Sequence, residues 1–419
     1  MWTTPENPVP IKNDELRVGV FVWIDRSWSD HPFLSNKFRI LDDKVLAQVK
    51  ALGPKDIYWI PSKSTVRPIA AVKHREPPKT PPDANREHQE NQLRIKNEQV
   101  EKQRALFVKA KTERSKALNS THDALLKLRD HPRQAGASMR DFAGSVTTSI
   151  SQGDSLLMLL NDQEGQGLQH HALNCMTLST LIAKSLNLPP QVISEVALGA
   201  LAHDVGETLI PKHILQSGTR NRAEENLYRD HCRLGVKLAE TSGVFSEAAL
   251  SAVRDHHELL DGSGFPEGKE DKKIGIVPRI IAVADIYERL CSPASPDQAP
   301  MLPSEALKMM WNDYQTRLDS KMITALIRLL GIYPPGTIVT LNDGSLGLVV
   351  SPGKSSLIPK VLIYDPDIKK DDAIIIELEE GGALRIEESV SPRDLPADAL
   401  AWLSPGERTA YYFTAEQSK

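Results

Sequence analysis

Two aspartates in this chain stand where an aspartate is expensive. Asp204 closes the apolar run Ala197-Leu198-Gly199-Ala200-Leu201-Ala202-His203, and Asp285 follows Ile280-Ile281-Ala282-Val283-Ala284. A carboxylate carried into a core without a partner costs several kcal/mol. A chain that buries both must therefore bring cations or hydrogen-bond donors to meet them, and that requirement limits the folds open to it. Histidines are the partners at hand. His203 adjoins Asp204, and His256-His257 run straight into the turn Asp261-Gly262-Ser263-Gly264-Phe265-Pro266.

Buried acid beside buried imidazole means a metal or an ion pair. In chain order the candidate ligands are His171, His203, Asp204, His231, His256, His257 and Asp285. Five imidazoles with two carboxylates suit iron, manganese, zinc or cobalt, whereas magnesium and calcium sites are built from oxygen. Seven donors exceed the needs of one tetrahedral ion. They suit two octahedral ions with Asp204 as a shared bridge. Two divalent ions about 3.5–4 Å apart can clamp the attacking and leaving oxygens of a phosphoester displacement, and they lower the pKa of bound water. A lone histidine is more often core or surface than ligand, and His74, His88, His122, His131, His170 and His213 read that way.

Composition narrows the classes further. The 419 residues suffice for two or three domains, and a net charge of -4 argues against a broad nucleic-acid surface. Cys175, Cys232 and Cys291 form no CxxC pair and read as reduced, buried thiols. The N-terminus has neither the basic nor the apolar region of a signal peptide, and no run approaches the roughly 18–20 apolar residues of a membrane span. The expectation is a cytoplasmic protein that neither crosses a membrane nor binds nucleic acid.

The pattern divides the chain into a multi-domain α+β protein. Residues 1–72 read as a small α/β domain, with strands at 16–24 and 56–60 around a helix at 42–52 and with Phe21, Trp23, Trp28 and Phe33 as its core. Four prolines make 73–85 an extended linker. Residues 86–135 read as a charged connecting helix. Leu93, Val100 and Phe107 recur every seven residues, but Asn97 and Arg104 occupy the alternate core positions, so a solvated helix and a dimerising coiled coil both stand open. Residues 136–332 read as a helical bundle, with Pro190 opening one helix after Asn187 as cap and Pro278 in the first turn of another. Residues 333–419 read as a small β-subdomain. Asn342-Asp343-Gly344-Ser345 marks a hairpin between TIVTL and LGLVV, and KVLIYD and AIIIELE supply two further strands.

The stretch from about 168 to 332 resembles the HD-GYP domain, a branch of the HD superfamily of metal-dependent phosphohydrolases. The resemblance runs through His171, through His203-Asp204-Val205-Gly206 with Ile210-Pro211, through His231, through HHELLDGSGFP, and through Pro278–Asp285. Residues 11–62 resemble the small domain of unknown function DUF3391 often attached to HD-GYP domains, and YPPGTIVTLNDGSLGLVV is similar to a β-extension that follows some of them. The resemblance implies hydrolysis of cyclic di-GMP to pGpG and then GMP, by a hydroxide on a di-iron or di-manganese centre. Asp204 and His203 would be the catalytic pair, and Gly262, Gly264, Phe265 and Pro266 would shape the substrate pocket.

Three departures bear on phosphate binding. Glu207 stands where family members carry the lysine of HDxGK, a charge reversal beside an anionic substrate. Phe265 replaces the tyrosine of GYP. After Asp285 the chain reads LCSPASPDQAP where the family has a basic segment such as TSDRPYR. Lys212 is the candidate substitute for the missing lysine. Gly167 falls where some members place a glutamate for a third metal, so two ions are expected. With the ligand set complete, a metal-dependent cyclic di-GMP phosphodiesterase is the leading expectation. The alternatives are a degenerate, metal-binding receptor or interaction module for signalling partners, and a hydrolase of another phosphoester.

Overall fold

A computed structural model describes residues 8–26, 30–33, 35–53, 56–69, 82–152, 155–158, 167–295, 297–355, 358–403 and 411–414. The chain forms two units. One comprises residues 1–107 with 337–353 and 358–404, and the other 108–336 with 354–357 and 405–419.

In the first unit β1 (Val9–Pro10), β2 (Phe21–Ile24), β3 (Lys37–Arg39) and β4 (Ile57–Trp59) make an antiparallel sheet in the order β1-β4-β2-β3. Helix α1 (Asp43–Ala51) starts where the Asp42 carboxylate accepts the Val45 N–H at 2.8 Å. Alternation along β2 puts Val22 and Ile24 with Leu16, Phe33, Phe38, Val49 and Ile57 in one apolar cluster. Trp23 therefore points the other way. Expected in the core, it lies half-buried against Tyr58, ring centroids 5.1 Å apart, with Lys37 5.6 Å from its ring. Trp28 lies outside the described residues.

The C-terminal strands join this same unit. Strands β6 (Ile338–Leu341), β7 (Leu346–Ser355), β8 (Ile358–Ile363), β9 (Ile375–Glu377) and β10 (Ile386–Ser389) form a sheet ordered β10-β6-β7-β8-β9, and helix α13 (Ala397–Leu403) follows. Gly344 takes φ +84° in the β6–β7 turn, a conformation that glycine adopts without strain. The N-terminal domain meets this sheet through buried polar bonds. Ser35 Oγ and Asn36 N donate to Asp365 at 2.9 and 2.8 Å, and Arg39 Nη1 donates to the Asn342 carbonyl at 2.7 Å.

Helix α2 (Pro82–Lys127) begins inside the expected linker, because a proline in the first turn of a helix lacks only an N–H that would have no partner there. Its first half contributes Lys96 to the first unit. The Lys96 ammonium is buried and donates to the His31 and Phe33 carbonyls, each at 2.9 Å. Of the heptad positions Leu93, Val100 and Phe107, only Val100 is fully buried within the chain.

The second unit is mainly helical. It runs through α3 (Pro132–Gln152), α4 (Leu168–Ser185), α5 (Pro190–Ala202), α6 (Lys212–Leu215), α7 (Arg222–Arg229), α8 (His231–Thr241), α9 (Glu247–Asp255), α10 (Ile276–Cys291), α11 (Pro303–Asp313) and α12 (Ser320–Leu330); all of these but α6 and α7 share one apolar core, and β5 (Ser155–Met158) pairs with β11 (Tyr411–Thr414). Helix α4 is buried from His171 through Ala183. Asn187 takes φ +55° and its N–H donates to the Lys184 carbonyl, so it closes α4 instead of capping α5. Pro278 sits in the first turn of α10, as its spacing predicts. No described helix is long and apolar enough to cross a membrane.

Burial lowers the His31 imidazole to about 4 and the Lys96 ammonium to about 7. Below its ordinary pKa each base would take a proton in the unfolded chain that the folded unit resists. Stability is therefore full above the ordinary value and falls on acidification, between 10.5 and about 7 for Lys96 and between 6.5 and about 4 for His31. Urea unfolding of the full-length protein, followed by tryptophan emission across pH, should show both stages. Lys96→Met should flatten the upper stage, on the order of a few kcal/mol, while lowering stability at pH 10 because two carbonyls lose their donor.

Candidate metal centre

The apolar helices deliver polar residues mostly at their ends. Helix α5 carries Val196, Leu198 and Leu201 into the core, each contributing roughly 1.5–3 kcal/mol by burial. It stops at His203, after which Asp204 turns the chain with φ -99° and ψ 14°. His231 opens α8, His256 and His257 follow α9, and Asp285 sits within α10.

Together these bring all seven sequence-nominated residues into two adjoining groups. One contains His171, Cys175, His203 and Asp285; the other contains Asp204, His231, His256 and His257. Asp204 faces both. Its Oδ2 lies 3.3 Å from His171 Nε2 and 3.3 Å from His203 Nε2, and its Oδ1 lies 3.4 Å from His231 Nε2 and 3.2 Å from His256 Nε2. Asp285 Oδ1 lies 3.1 Å from His171 Nε2, and its Oδ2 lies 3.7 Å from His257 Nδ1.

The outer ring nitrogens fix the tautomers. Nδ1 of His203 donates to the Ala200 carbonyl at 2.6 Å, that of His231 to the Tyr228 carbonyl at 2.6 Å, and that of His256 to the Ala252 carbonyl at 3.0 Å. His171 Nδ1 meets Glu288 Oε2 at 2.6 Å, and Asn174 Nδ2 holds the other Glu288 oxygen at 3.1 Å. Carbonyls can only accept, so these Nδ1 atoms carry hydrogen and the Nε2 lone pairs point inward. Yet His171 and His203 Nε2 lie 3.0 Å apart, and His231 and His256 Nε2 lie 3.4 Å apart. Facing lone pairs at that distance repel unless a cation sits among them. Protonation is a poor remedy at His231, which burial lowers to about 4, whereas at His171 the surrounding acidic groups outweigh burial and raise the imidazole well above its ordinary value. Outer hydrogen bonds that orient imidazoles, with inner nitrogens and carboxylates converging, fit a divalent transition metal.

Electrostatics agree with that fit. Burial alone would raise the Asp204 carboxyl, but His203 and Arg289 hold it well below the usual carboxylate range. Burial is likewise outweighed at Asp285, by Arg289 and His171. Glu207 behaves differently: burial, then the Asp204 charge, push it up to about 7. Cys175 stays a thiol because burial raises it to about 12. Its Sγ lies 3.7 Å from His171 Nε2.

The glycine turn folds back on the histidines. Phe265 N donates to the His257 carbonyl at 3.2 Å, and its ring lies 4.5 Å from that of His257. Glu258 accepts the Glu267 and Lys269 N–H groups at 2.7 and 2.8 Å. Gly262 takes φ +75°, and a Cβ at Gly264 would run into the His257 and Leu259 backbone. Pro266 completes the turn. Lys212 opens α6 with its side chain exposed, and no described contact joins it to the centre. Sequence reasoning missed Arg289, Glu288, Asn174 and Cys175. Each lies three or four residues from a ligand on the same helix, the spacing that shares a face. It also missed Arg229, whose guanidinium lies 5.0 Å from the Phe265 ring. Arg279 donates to Asp319 at 3.1 Å.

A helical core with histidine-aspartate ligands at helix ends defines an HD-type domain, and comparison with known proteins agrees. Residues 154–322 match the family model described as HD domain, and residues 9–138 match the domain of unknown function DUF3391. The second match runs past the 11–62 stretch that carried the resemblance and takes in all of α2. The chain thus matches an HD domain preceded by a DUF3391 domain. It is 28% identical over 364 residues to a cyclic di-GMP phosphodiesterase of Pseudomonas aeruginosa, covering 84% of this chain and 83% of that one. It is 30% identical over 172 residues to a 3'3'-cGAMP-specific phosphodiesterase of Vibrio cholerae, covering 40% of this chain and 39% of that protein. A solved HDG"Y"P protein from Bdellovibrio bacteriovorus aligns over 76% of this chain and 98% of its own, at 16% identity and a TM-score of 0.43.

Close backbone approach around Asp204 supplies a test that touches no ligand. A Cβ at Gly206 would run into the His231 carbonyl and come within 2.7 Å of Gly235 N. Gly206→Ala should displace the start of α8, costing about 1–3 kcal/mol by urea unfolding and lowering metal content by elemental analysis. Gly144→Ala, on a helix with open space at the added carbon, should be neutral or stabilise by about 0.5–1 kcal/mol.

Proposed function

We propose that this protein is a metal-dependent phosphodiesterase that hydrolyses cyclic di-GMP to pGpG and GMP. The observation that carries the proposal is Asp204, whose two oxygens face two separate imidazole sets. On this reading His171, His203, Asp285 and Asp204 Oδ2 hold one divalent ion, iron or manganese by donor set, and His231, His256, His257 and Asp204 Oδ1 hold the other. When bound, two such ions supply an activated water and neutralise charge on the phosphoryl oxygens. The residues of the chain do the rest. Glu288 and the backbone carbonyls orient the imidazoles, the buried walls exclude bulk water, and Phe265 with the Gly262–Pro266 turn presents an apolar surface beside His257 for a base or ribose.

Glu207 favours keeping a second substrate in view. A carboxylate replaces the lysine expected beside the phosphate, although Arg289 lies 3.4 Å from it and offsets its charge. Altered phosphate contacts of this kind suit a related cyclic dinucleotide, and one relative is named for 3'3'-cGAMP.

The test is elemental analysis of anaerobically purified protein, with turnover of cyclic di-GMP and 3'3'-cGAMP assayed on the same sample. The expected result is two ions per chain and formation of pGpG or GMP. His203→Ala and Asp204→Ala should each lower both metal content and rate at least a hundredfold in rate. Bound metal and activity unchanged in both variants would overturn the assignment. Two ions without turnover of either dinucleotide would point to a receptor role or another phosphoester.

A further inference from the structure

One cation stands among the converging ligand oxygens. Arg289 lies one turn beyond Asp285 on α10 and reaches back along it. Its Nε donates to Asp285 Oδ1 at 2.7 Å, its Nη2 donates to Asp204 Oδ2, and Glu207 Oε1 lies 3.4 Å from the same Nη2. The two ligand oxygens it holds are the ones that His171 Nε2 approaches, at 3.1 and 3.3 Å. Only 25% of its side chain is exposed, so solvent screens the charge weakly. Among the described residues no guanidinium touches the other group, Asp204 Oδ1 with His231, His256 and His257.

This makes the two positions unequal. By ligand charge alone the His171 position should be the stronger, because it has an oxygen from each of two carboxylates against one oxygen and three neutral imidazoles. Arg289 sets one positive charge against those carboxylates and uses their lone pairs. Building on the two-ion reading above, we propose that Arg289 reverses the order of metal binding. The position formed by Asp204 Oδ1, His231, His256 and His257 fills first and tightly. The position formed by His171, His203, Asp285 and Asp204 Oδ2 takes its ion in competition with the guanidinium. Arg289 is thus a positioning residue that sets the second metal's affinity, with Glu207 helping to hold it in place. The consequence is a protein whose complement of two ions depends on metal supply.

The test titrates Mn²⁺ into the metal-stripped full chain by calorimetry, with electron paramagnetic resonance counting free ion. Wild-type protein should bind in two steps that differ by about tenfold or more in affinity. His231→Ala should abolish the tight step, and His171→Ala should spare it. Arg289→Met, which keeps the length and removes the charge, should strengthen the weak step about tenfold or more and leave the tight step within about threefold. Circular dichroism would check its fold, and if it does not fold, the two histidine variants decide. Two equal steps in the wild type, loss of the tight step in His171→Ala, or a weak step unmoved in folded Arg289→Met would overturn the inference and leave the two-ion centre standing. No Mn²⁺ binding by the wild type would overturn both.

Discussion

The buried carboxylate of Asp204 is the constraint to which the helical unit answers. A carboxylate in a low-dielectric interior persists as an anion only when both oxygens are met. Oδ2 accepts from Arg289, while His171 and His203 Nε2 face Oδ2 and His231 and His256 Nε2 face Oδ1, an arrangement that only a cation among them completes. Those partners come from α4, α8, α10 and the ends of α5 and α9. One side chain therefore governs where α5 stops, where α8 starts and how closely their backbones pass. Gly206 against the His231 backbone is the visible consequence. The apolar faces of α4, α5 and α10 supply cohesion without direction. The polar centre selects among the packings those faces would otherwise allow.

The centre was legible in the sequence to the extent that burial and polarity conflicted there. Asp204 and Asp285 announce themselves because apolar residues precede them directly. His256 and His257 announce themselves by standing before a turn that two glycines make sharp. Arg289 and Glu288 were hidden for the opposite reason. They fall in the last turn of a helix, where charge ordinarily means solvent, and only the position of Asp285 shows that they share its inward face. His31 was hidden because it lies in irregular chain with no periodicity to assign it a side. Lys96 sits on a helix so rich in charge that one buried lysine leaves no trace in the pattern. Of the expected linker, residues 73–81 lie outside the described residues, and Pro82 opens a helix, which a proline can begin as easily as prevent.

Glu207 shows how a single departure from a motif can mislead when read alone. In the sequence it is a charge reversal beside an anionic substrate. In the structure it lies 3.4 Å from Arg289, which also holds Asp204 and Asp285. One lysine fewer on the turn after α5 is accompanied by one arginine on α10. The sum of charge at the centre changes less than the motif implies, and what changes is where the cation stands. That cation stands against the carboxylates of Asp204 and Asp285. On the two-ion reading proposed above, the departure bears on metal occupancy as well as on substrate.

The two units handle buried charge by different means. The helical unit gathers opposite charges until each is offset. The first unit lowers two buried bases, His31 to about 4 and Lys96 to about 7, and sets the Asn36 amide against His31 Nε2 and two carbonyls against Lys96. Asp365, a buried acid of that unit, accepts from Ser35 Oγ and Asn36 N. That choice explains why strands more than three hundred residues apart in sequence belong to one unit. The bonds joining them are short, buried and directional, and none requires the long apolar run by which a sequence declares a core. A sheet that reads as a separate C-terminal subdomain is thus tied to the N-terminal domain by a handful of polar atoms. Their cost of desolvation is tolerable only while every one of them is partnered.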